Sequence, residues 1–293
     1  MKCTVHAFPD EETPARRLAD ALAAPLALID LHRFPDGESL PVTAECSGAV
    51  ALYRSLNRPD PKLMPLLLAA DALRRRGAER VVLVAPYLCY LRQDAVFRPG
   101  ESLSRDVLGR LLGDAFDGVV TVEPHLHRTF ALDQVFAGTP VMVLSAAEPL
   151  AAALSPILPG ALVVGPDSES APWVKALAGL LTADTLTFDK VRRGDRDVDL
   201  TSPRKDRIAG RHVVLVDDIC SSGATLEAAA QSLRSAGAAS IDVAVAHALF
   251  DAGCEARLHA AGVRRIVSTD SCPHPTNAAP LARPLAQALK DLP

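Results

Sequence analysis

The run Val213-Val214-Leu215-Val216-Asp217-Asp218-Ile219-Cys220-Ser221-Ser222-Gly223-Ala224-Thr225 concentrates the chemistry of this chain. Four apolar residues predict a buried strand. Two carboxylates follow at its carboxyl end, and a loop of small residues then leads into a helix. In open α/β sheets, ligands bind at that end of the strands. Small residues let backbone N–H groups approach an anion, and a helix N-terminus adds partial positive charge. Ser221, Ser222 and Thr225 contribute hydroxyl donors around Gly223 and Ala224. The loop therefore suits a phosphate. Asp217 and Asp218 cannot hold that phosphate, but they can accept hydrogen bonds from sugar hydroxyls or orient Mg2+ through its waters. A phosphate and a diol one sugar apart describe a ribose 5-phosphate unit. Neither GxxxxGK[ST] nor GxGxxG occurs, which removes the P-loop and Rossmann readings.

Other polar tracts lie beside apolar runs. Phe34, Asp36 and Glu38 fall on a Gly-containing turn; the ring could stack on a purine while the acids hold its amine or a ribose. Arg92, Gln93 and Asp94 follow a predicted strand, where an arginine fork can clamp phosphates. His125 and Asp167 each follow an apolar strand. His125 and His127 form an HxH pair, but no third zinc ligand is near in sequence. Lys190 and Arg192 open a charged segment, 190–205, with no apolar period; it is expected to be a long mobile loop. Cations on such a loop suit a transition state that spreads charge over phosphate oxygens.

The elements that must position these groups follow an α/β rhythm. Strands are predicted at 26–31, 49–52, 80–85, 118–122, 141–144, 162–164, 185–188, 212–216, 241–248 and 264–269, short Val- and Leu-rich runs typical of a parallel sheet covered on both faces. Helices are predicted at 14–23, 65–76, 103–112, 173–181, 225–236 and 279–292. With 293 residues the chain suits two domains. The Ala- and Pro-rich tract 145–160 marks the boundary, giving halves of 1–145 and 146–293, with the last helix free to pack back on the first half. No strict repeat relates the two halves.

Composition sets limits on partners. The net charge is −4, from 31 basic and 35 acidic residues, which gives no general attraction to nucleic acid or anionic lipid. Aromatic residues make up only 4%, too few for a stacking platform. No membrane span or signal peptide is expected. The six cysteines show no CxxC spacing, and reduced thiols in a cytoplasmic protein are expected.

The loop 213–225 resembles the PRPP loop of the type I phosphoribosyltransferase superfamily. Further tracts resemble one branch of it, the ribose-phosphate diphosphokinases (PRPP synthetases). These are Arg33-Phe34-Pro35-Asp36-Gly37-Glu38, Pro86-Tyr87-Leu88-Cys89-Tyr90-Leu91-Arg92-Gln93-Asp94, Val164-Gly165-Pro166-Asp167 and Asp189-Lys190-Val191-Arg192-Arg193. The stretch 97–104 looks like the archaeal type. The resemblance implies two phosphoribosyltransferase-like domains, each a mainly parallel sheet flanked by helices. It implies ATP and ribose 5-phosphate as substrates, Mg2+ as cofactor and a homo-oligomer, dimer or hexamer. Phe34, Asp36, Glu38, Arg92, Gln93 and Asp94 would bind ATP, and His125 and Asp167 the metal. Asp217, Asp218, Ser221, Ser222, Gly223, Ala224 and Thr225 would bind ribose 5-phosphate. Lys190 and Arg192 would be catalytic, with chemistry in a cleft between the domains.

The sequence also departs from the family. Ala224 stands where a second Gly is usual, Ser168-Glu169-Ser170 replaces a Gly pair after the PD motif, and Glu123 replaces an Asp. Two alternatives follow: a phosphoribosyltransferase that consumes PRPP, and a non-catalytic regulatory relative.

Overall fold

The computed structural model describes residues 3–126, 132–155, 161–167, 170–192, 198–201 and 205–292, with 189–192 and 198–201 described by backbone alone. Two compact units form: Met1–Leu144 together with Leu281–Pro293, and Ser145–Pro280.

The first unit runs β1 (Cys3–Ala7), α1 (Glu12–Leu22), β2 (Leu26–Leu28), β3 (Asp30–Arg33), β4 (Ser39–Val42), β5 (Gly48–Tyr53) and α2 (Asp60–Arg75). It continues through β6 (Ala78–Val84), α3 (Ser104–Ala115), β7 (Gly118–Val122), α4 (Leu132–Val135) and β8 (Val141–Leu144). Six strands form a parallel sheet in the order β2-β1-β5-β6-β7-β8. β3 and β4 pair antiparallel as a separate ribbon. Val50, Leu52, Val81, Leu83 and Val119 of the sheet pack on Leu66, Ala69 and Leu73 of α2 and on Leu108 and Leu112 of α3.

The second unit runs α5 (Ala147–Leu154), β9 (Leu162–Gly165), α6 (Ala171–Leu181), β10 (Asp184–Thr187), β11 (Asp189–Arg192), β12 (Val198–Thr201) and β13 (His212–Cys220). It ends with α7 (Ala224–Ser235), β14 (Ser240–Ala248), α8 (Ala252–Ala260), β15 (Val263–Thr269) and β16 (Asn277–Ala279). The last helix, α9 (Ala282–Asp291), packs on α1, β7 and β8 of the first unit. The second sheet, also parallel, has the order β10-β9-β13-β14-β15-β16. Numbered within each unit, both sheets read 2-1-3-4-5-6, and each has an antiparallel ribbon between its second and third strands. The topology repeats although the sequence does not.

Several elements differ from the sequence expectation. The expected strand 26–31 divides at Ile29, which is fully buried, into sheet strand β2 and ribbon strand β3. β1 has no counterpart among the expected strands, because Thr4 and His6 interrupt its apolar run, yet ladders on both sides hold it. The charged segment expected as a loop forms, in its described parts, the ribbon β11–β12, with Lys190 opposite Leu200 and Arg192 opposite Val198. Helix α2 starts at Asp60 rather than 65, with Pro65 inside it. Helix α8 was hidden by Gly253; it is capped by the Asp251 carboxylate, which accepts from Cys254 N at 2.9 Å.

Candidate active site

β13 runs four residues beyond its predicted end, because β14 pairs with it as far as Cys220–Ala248. Asp217 and Asp218 therefore lie within the strand. Asp217 Oδ1 accepts from Asp218 N at 3.0 Å, and Asp218 Oδ1 from Ile219 N at 2.7 Å. Burial raises the Asp217 carboxyl well above its ordinary range; the charge of Asp218, a hydrogen bond with it and the charge of Asp167 add to the rise. Asp167 follows β9, the strand beside β13; Ser170 N donates to its Oδ1 at 3.2 Å and Ser170 Oγ to its carbonyl at 2.6 Å. Three carboxylates thus share one neighbourhood with mutual repulsion, an environment that a hydrated Mg2+ fits by relieving the charge. Among the described residues no group of three or more His, Cys, Asp or Glu could hold a metal ion.

The loop after β13 turns at Gly223, whose φ of 75° is left-handed and which precedes the first residue of α7. A Cβ on Gly223 would stand 2.3 Å from Cys254 Sγ, so the backbone approaches α8 closely only because the residue is glycine. Ala224 begins the helix and is not among the positive-φ residues, so the missing second Gly leaves the turn unstrained. Ala224 N lies 3.5 Å from Ser222 Oγ. Arg257 of α8 braces the loop from outside: Nη2 donates to Ser222 O at 2.8 Å and Nε to Glu227 Oε2 at 3.2 Å. Below the loop, the Cys220 and Cys254 thiols are hydrogen-bonded to each other, and burial raises both pKa values. Ser222, Ala224 and Thr225 are exposed, and Ser221 is half-buried. The first N–H groups of α7 have no partner within the helix, so this end of β13 offers donors to an oxyanion. Arg257, Cys220 and Cys254 were missed from sequence, since their roles become visible only once α8 is known to exist.

In the first unit, Phe34, Asp36 and Glu38 sit on the turn of the β3–β4 ribbon. Phe34 N donates to Glu38 O at 2.8 Å, Gly37 N to Phe34 O at 3.0 Å, and Glu38 N to Asp36 Oδ1 at 3.1 Å. Phe34 stays 40% exposed, edge-on to His32 with ring centres 4.5 Å apart. Arg92 and Gln93 are exposed and Asp94 half-buried, on the segment after β6. That segment is tethered by Tyr90, whose hydroxyl donates to Asp60; this bond pushes the phenol up to about 12. Gln93 N donates to Tyr90 O at 3.1 Å, and Glu101 Oε2 accepts from Phe97 N and Arg98 N at 2.9 and 3.1 Å. His125 is half-buried just past β7. Lys190 and Arg192 lie two residues apart on β11. His127 and Glu169 lie outside the described residues.

An acidic pair in the carboxyl-terminal half of a central parallel strand, followed by a small-residue turn into a helix, is the arrangement of the phosphoribosyltransferase class of fold. Residues 150–289 match the family model of the phosphoribosyl transferase domain, and residues 3–115 that of the N-terminal domain of ribose phosphate pyrophosphokinase. The chain belongs to the ribose-phosphate pyrophosphokinase family. It is 35% identical over 281 residues to the ribose-phosphate pyrophosphokinase of Methanopyrus kandleri, covering 94% of this chain and 95% of that one. It is 31% identical to that of Pyrococcus furiosus, over 87% of this chain and 89% of the relative. Its fold matches the crystal structure of phosphoribosylpyrophosphate synthetase from Mycobacterium smegmatis with a TM-score of 0.80, over 99% of both chains at 24% identity.

Proposed function

We propose that the chain transfers the diphosphoryl group of ATP to the C1 hydroxyl of ribose 5-phosphate, giving PRPP and AMP. The observation that carries this reading is the Asp217–Thr225 site at the carboxyl end of β13, in a chain that belongs to the ribose-phosphate pyrophosphokinase family.

Ser221, Ser222, Gly223, Ala224 and Thr225 grip the 5-phosphate, and Asp217 and Asp218 orient the ribose hydroxyls. Phe34 stacks on the adenine; Asp36, Glu38, Arg92, Gln93 and Asp94 hold the rest of ATP. The C1 oxygen bonds to the β-phosphorus while the Pα–O–Pβ bond breaks; AMP leaves with the bridging oxygen and the hydroxyl proton passes to solvent. Lys190 and Arg192 stabilise the charge that spreads over the phosphate oxygens. Positioning carries most of the rate, since phosphoryl transfer leaves the protein little covalent chemistry to do. Mg2+ is the proposed cofactor, held from His125 and Asp167, and when bound it offsets the charge on the phosphate oxygens. A homo-oligomer, dimer or hexamer, and a cytoplasmic location complete the proposal. Among the described residues no helix is long and apolar enough to cross a membrane.

The test is product analysis by 31P NMR with ribose 5-phosphate, ATP and Mg2+. PRPP and AMP in equal amounts support the proposal. PRPP consumption with a purine base, or nucleotide binding without turnover, would replace it with a transferase or a regulatory protein.

A further inference from the structure

In the second unit the chain-order reversal of the sheet falls between β9 and β13, and the phosphate loop sits at the carboxyl end of that pair. The equivalent strands of the first unit are β1 and β5. Their carboxyl ends hold no small-residue loop. They hold instead a buried charged cluster for which the proposed reaction has no use.

At its centre is Glu11, 1% exposed, on the turn after β1. Its two oxygens accept the backbone N–H of Ser55, two residues past β5, at 3.2 and 3.1 Å. Lys62 Nζ, from the first turn of α2, donates to Oε1 at 3.0 Å, and Arg54 Nη1 lies 3.5 Å from Oε2. Arg54 is 3% exposed, pairs with Asp10 at 2.6 Å, and stacks over Phe8 with its guanidinium carbon 4.3 Å from the ring centre. Its Nε is buried and has no partner among the described residues. Lys62 is fixed further by Ser55 O and Asn57 Oδ1, both at 2.7 Å.

A backbone N–H past the end of a parallel strand, with an arginine and a lysine converging on the same point, is the donor set of an oxyanion site. Here the anion comes from the chain itself. We propose that the carboxyl ends of β1 and β5 form a second anion site, closed from within by the Glu11 carboxylate, and that without this carboxylate the site takes a phosphate-class oxyanion. The chain then has one open sugar-phosphate site and one sealed counterpart. Because the unmet donor Nε of Arg54 belongs to the same cluster, a tetrahedral anion with more acceptor oxygens than a carboxylate would find a donor already waiting.

The experiment is calorimetric titration of the full chain with inorganic phosphate at low ionic strength, comparing wild type, Glu11→Ala and Glu11→Gln. Glu11→Ala should bind one more phosphate per chain than wild type. Its melting temperature should rise with phosphate beyond the rise given by chloride at equal ionic strength. Glu11→Gln, which still fills the space, should gain no site. Lys62→Ala added to Glu11→Ala should weaken the new site at least tenfold. Equal phosphate counts for Glu11→Ala and wild type would overturn the proposal. So would a Glu11→Ala chain that is unfolded and is restored by neither phosphate nor acetate. The comparison is a difference between variants, so it stands whether or not the loop at Ser221–Thr225 binds a sugar phosphate.

Discussion

Replacing Gly223 by alanine places two separate strains on the loop between β13 and α7. The residue has a φ of 75°, and a Cβ there would lie 2.3 Å from Cys254 Sγ. Holding alanine in the left-handed region costs about 1–2 kcal/mol. Forcing the methyl against a buried sulfur adds about 1–3 kcal/mol, the usual range for overpacking. If the loop keeps its shape, about 2–5 kcal/mol appears as lost stability, read as a lower urea midpoint. If the loop yields, the strain is transferred to binding: each 1.4 kcal/mol is tenfold, so about 3 kcal/mol becomes roughly a hundredfold rise in the ribose 5-phosphate KM. Cys254→Ala separates the two contributions. In that background the sulfur is gone and only the dihedral strain remains, so the added effect of Gly223→Ala should fall to about 1–2 kcal/mol. A Gly223→Ala protein within about 0.5 kcal/mol of wild type, with unchanged KM, would refute the reasoning. An effect of equal size in both backgrounds would refute the role of Cys254.

Other outcomes follow from the same geometry. Burial, Asp218 and Asp167 hold the Asp217 carboxyl above its ordinary range, so the folded chain binds this proton more tightly than the unfolded chain. That contribution favours folding at pH values below the usual carboxylate pKa and is lost as pH rises through the folded value. Asp217→Asn should therefore stabilise the protein at neutral pH, by about 1–2 kcal/mol, with the gain vanishing in acid; melting curves across pH check this. Asp242 is fully buried and held by the Arg264 fork at 2.9 and 2.8 Å. Arg264→Ala leaves that carboxylate without its cation and should destabilise by about 3 kcal/mol, the low end for a broken buried pair, because Arg264 itself is 46% exposed; urea unfolding measures it. Lys190→Ala should lower kcat by about 10²–10³ with little change in the ribose 5-phosphate KM, whereas Asp218→Ala should chiefly raise that KM; steady-state kinetics distinguish the two.

The parallel architecture was legible because strands such as 118–122 and 141–144 are short Val-rich runs, and the structure places β7 and β8 at those limits. The strand–loop–helix arrangement at 213–225 was legible because its small residues, acidic pair and helix start are adjacent in sequence. What stayed hidden depends on contacts distant in sequence. β1 is held by its neighbours despite Thr4 and His6. The brace from Arg257 crosses 35 residues to reach Ser222. The Glu11 cluster joins residues 44 and 51 positions apart, and no local pattern marks it. The charged run 190–205 carries no apolar period and is expected as a loop, whereas 189–192 and 198–201 pair antiparallel as the β11–β12 ribbon.

The central claim is that the diphosphoryl group moves as a unit from ATP to the sugar. Incubation with ribose 5-phosphate, Mg2+ and ATP carrying 32P at the β-position tests it most directly. The label is expected in PRPP, with AMP unlabelled. Label recovered in ADP, or left wholly in ATP while ribose 5-phosphate binds, would contradict it.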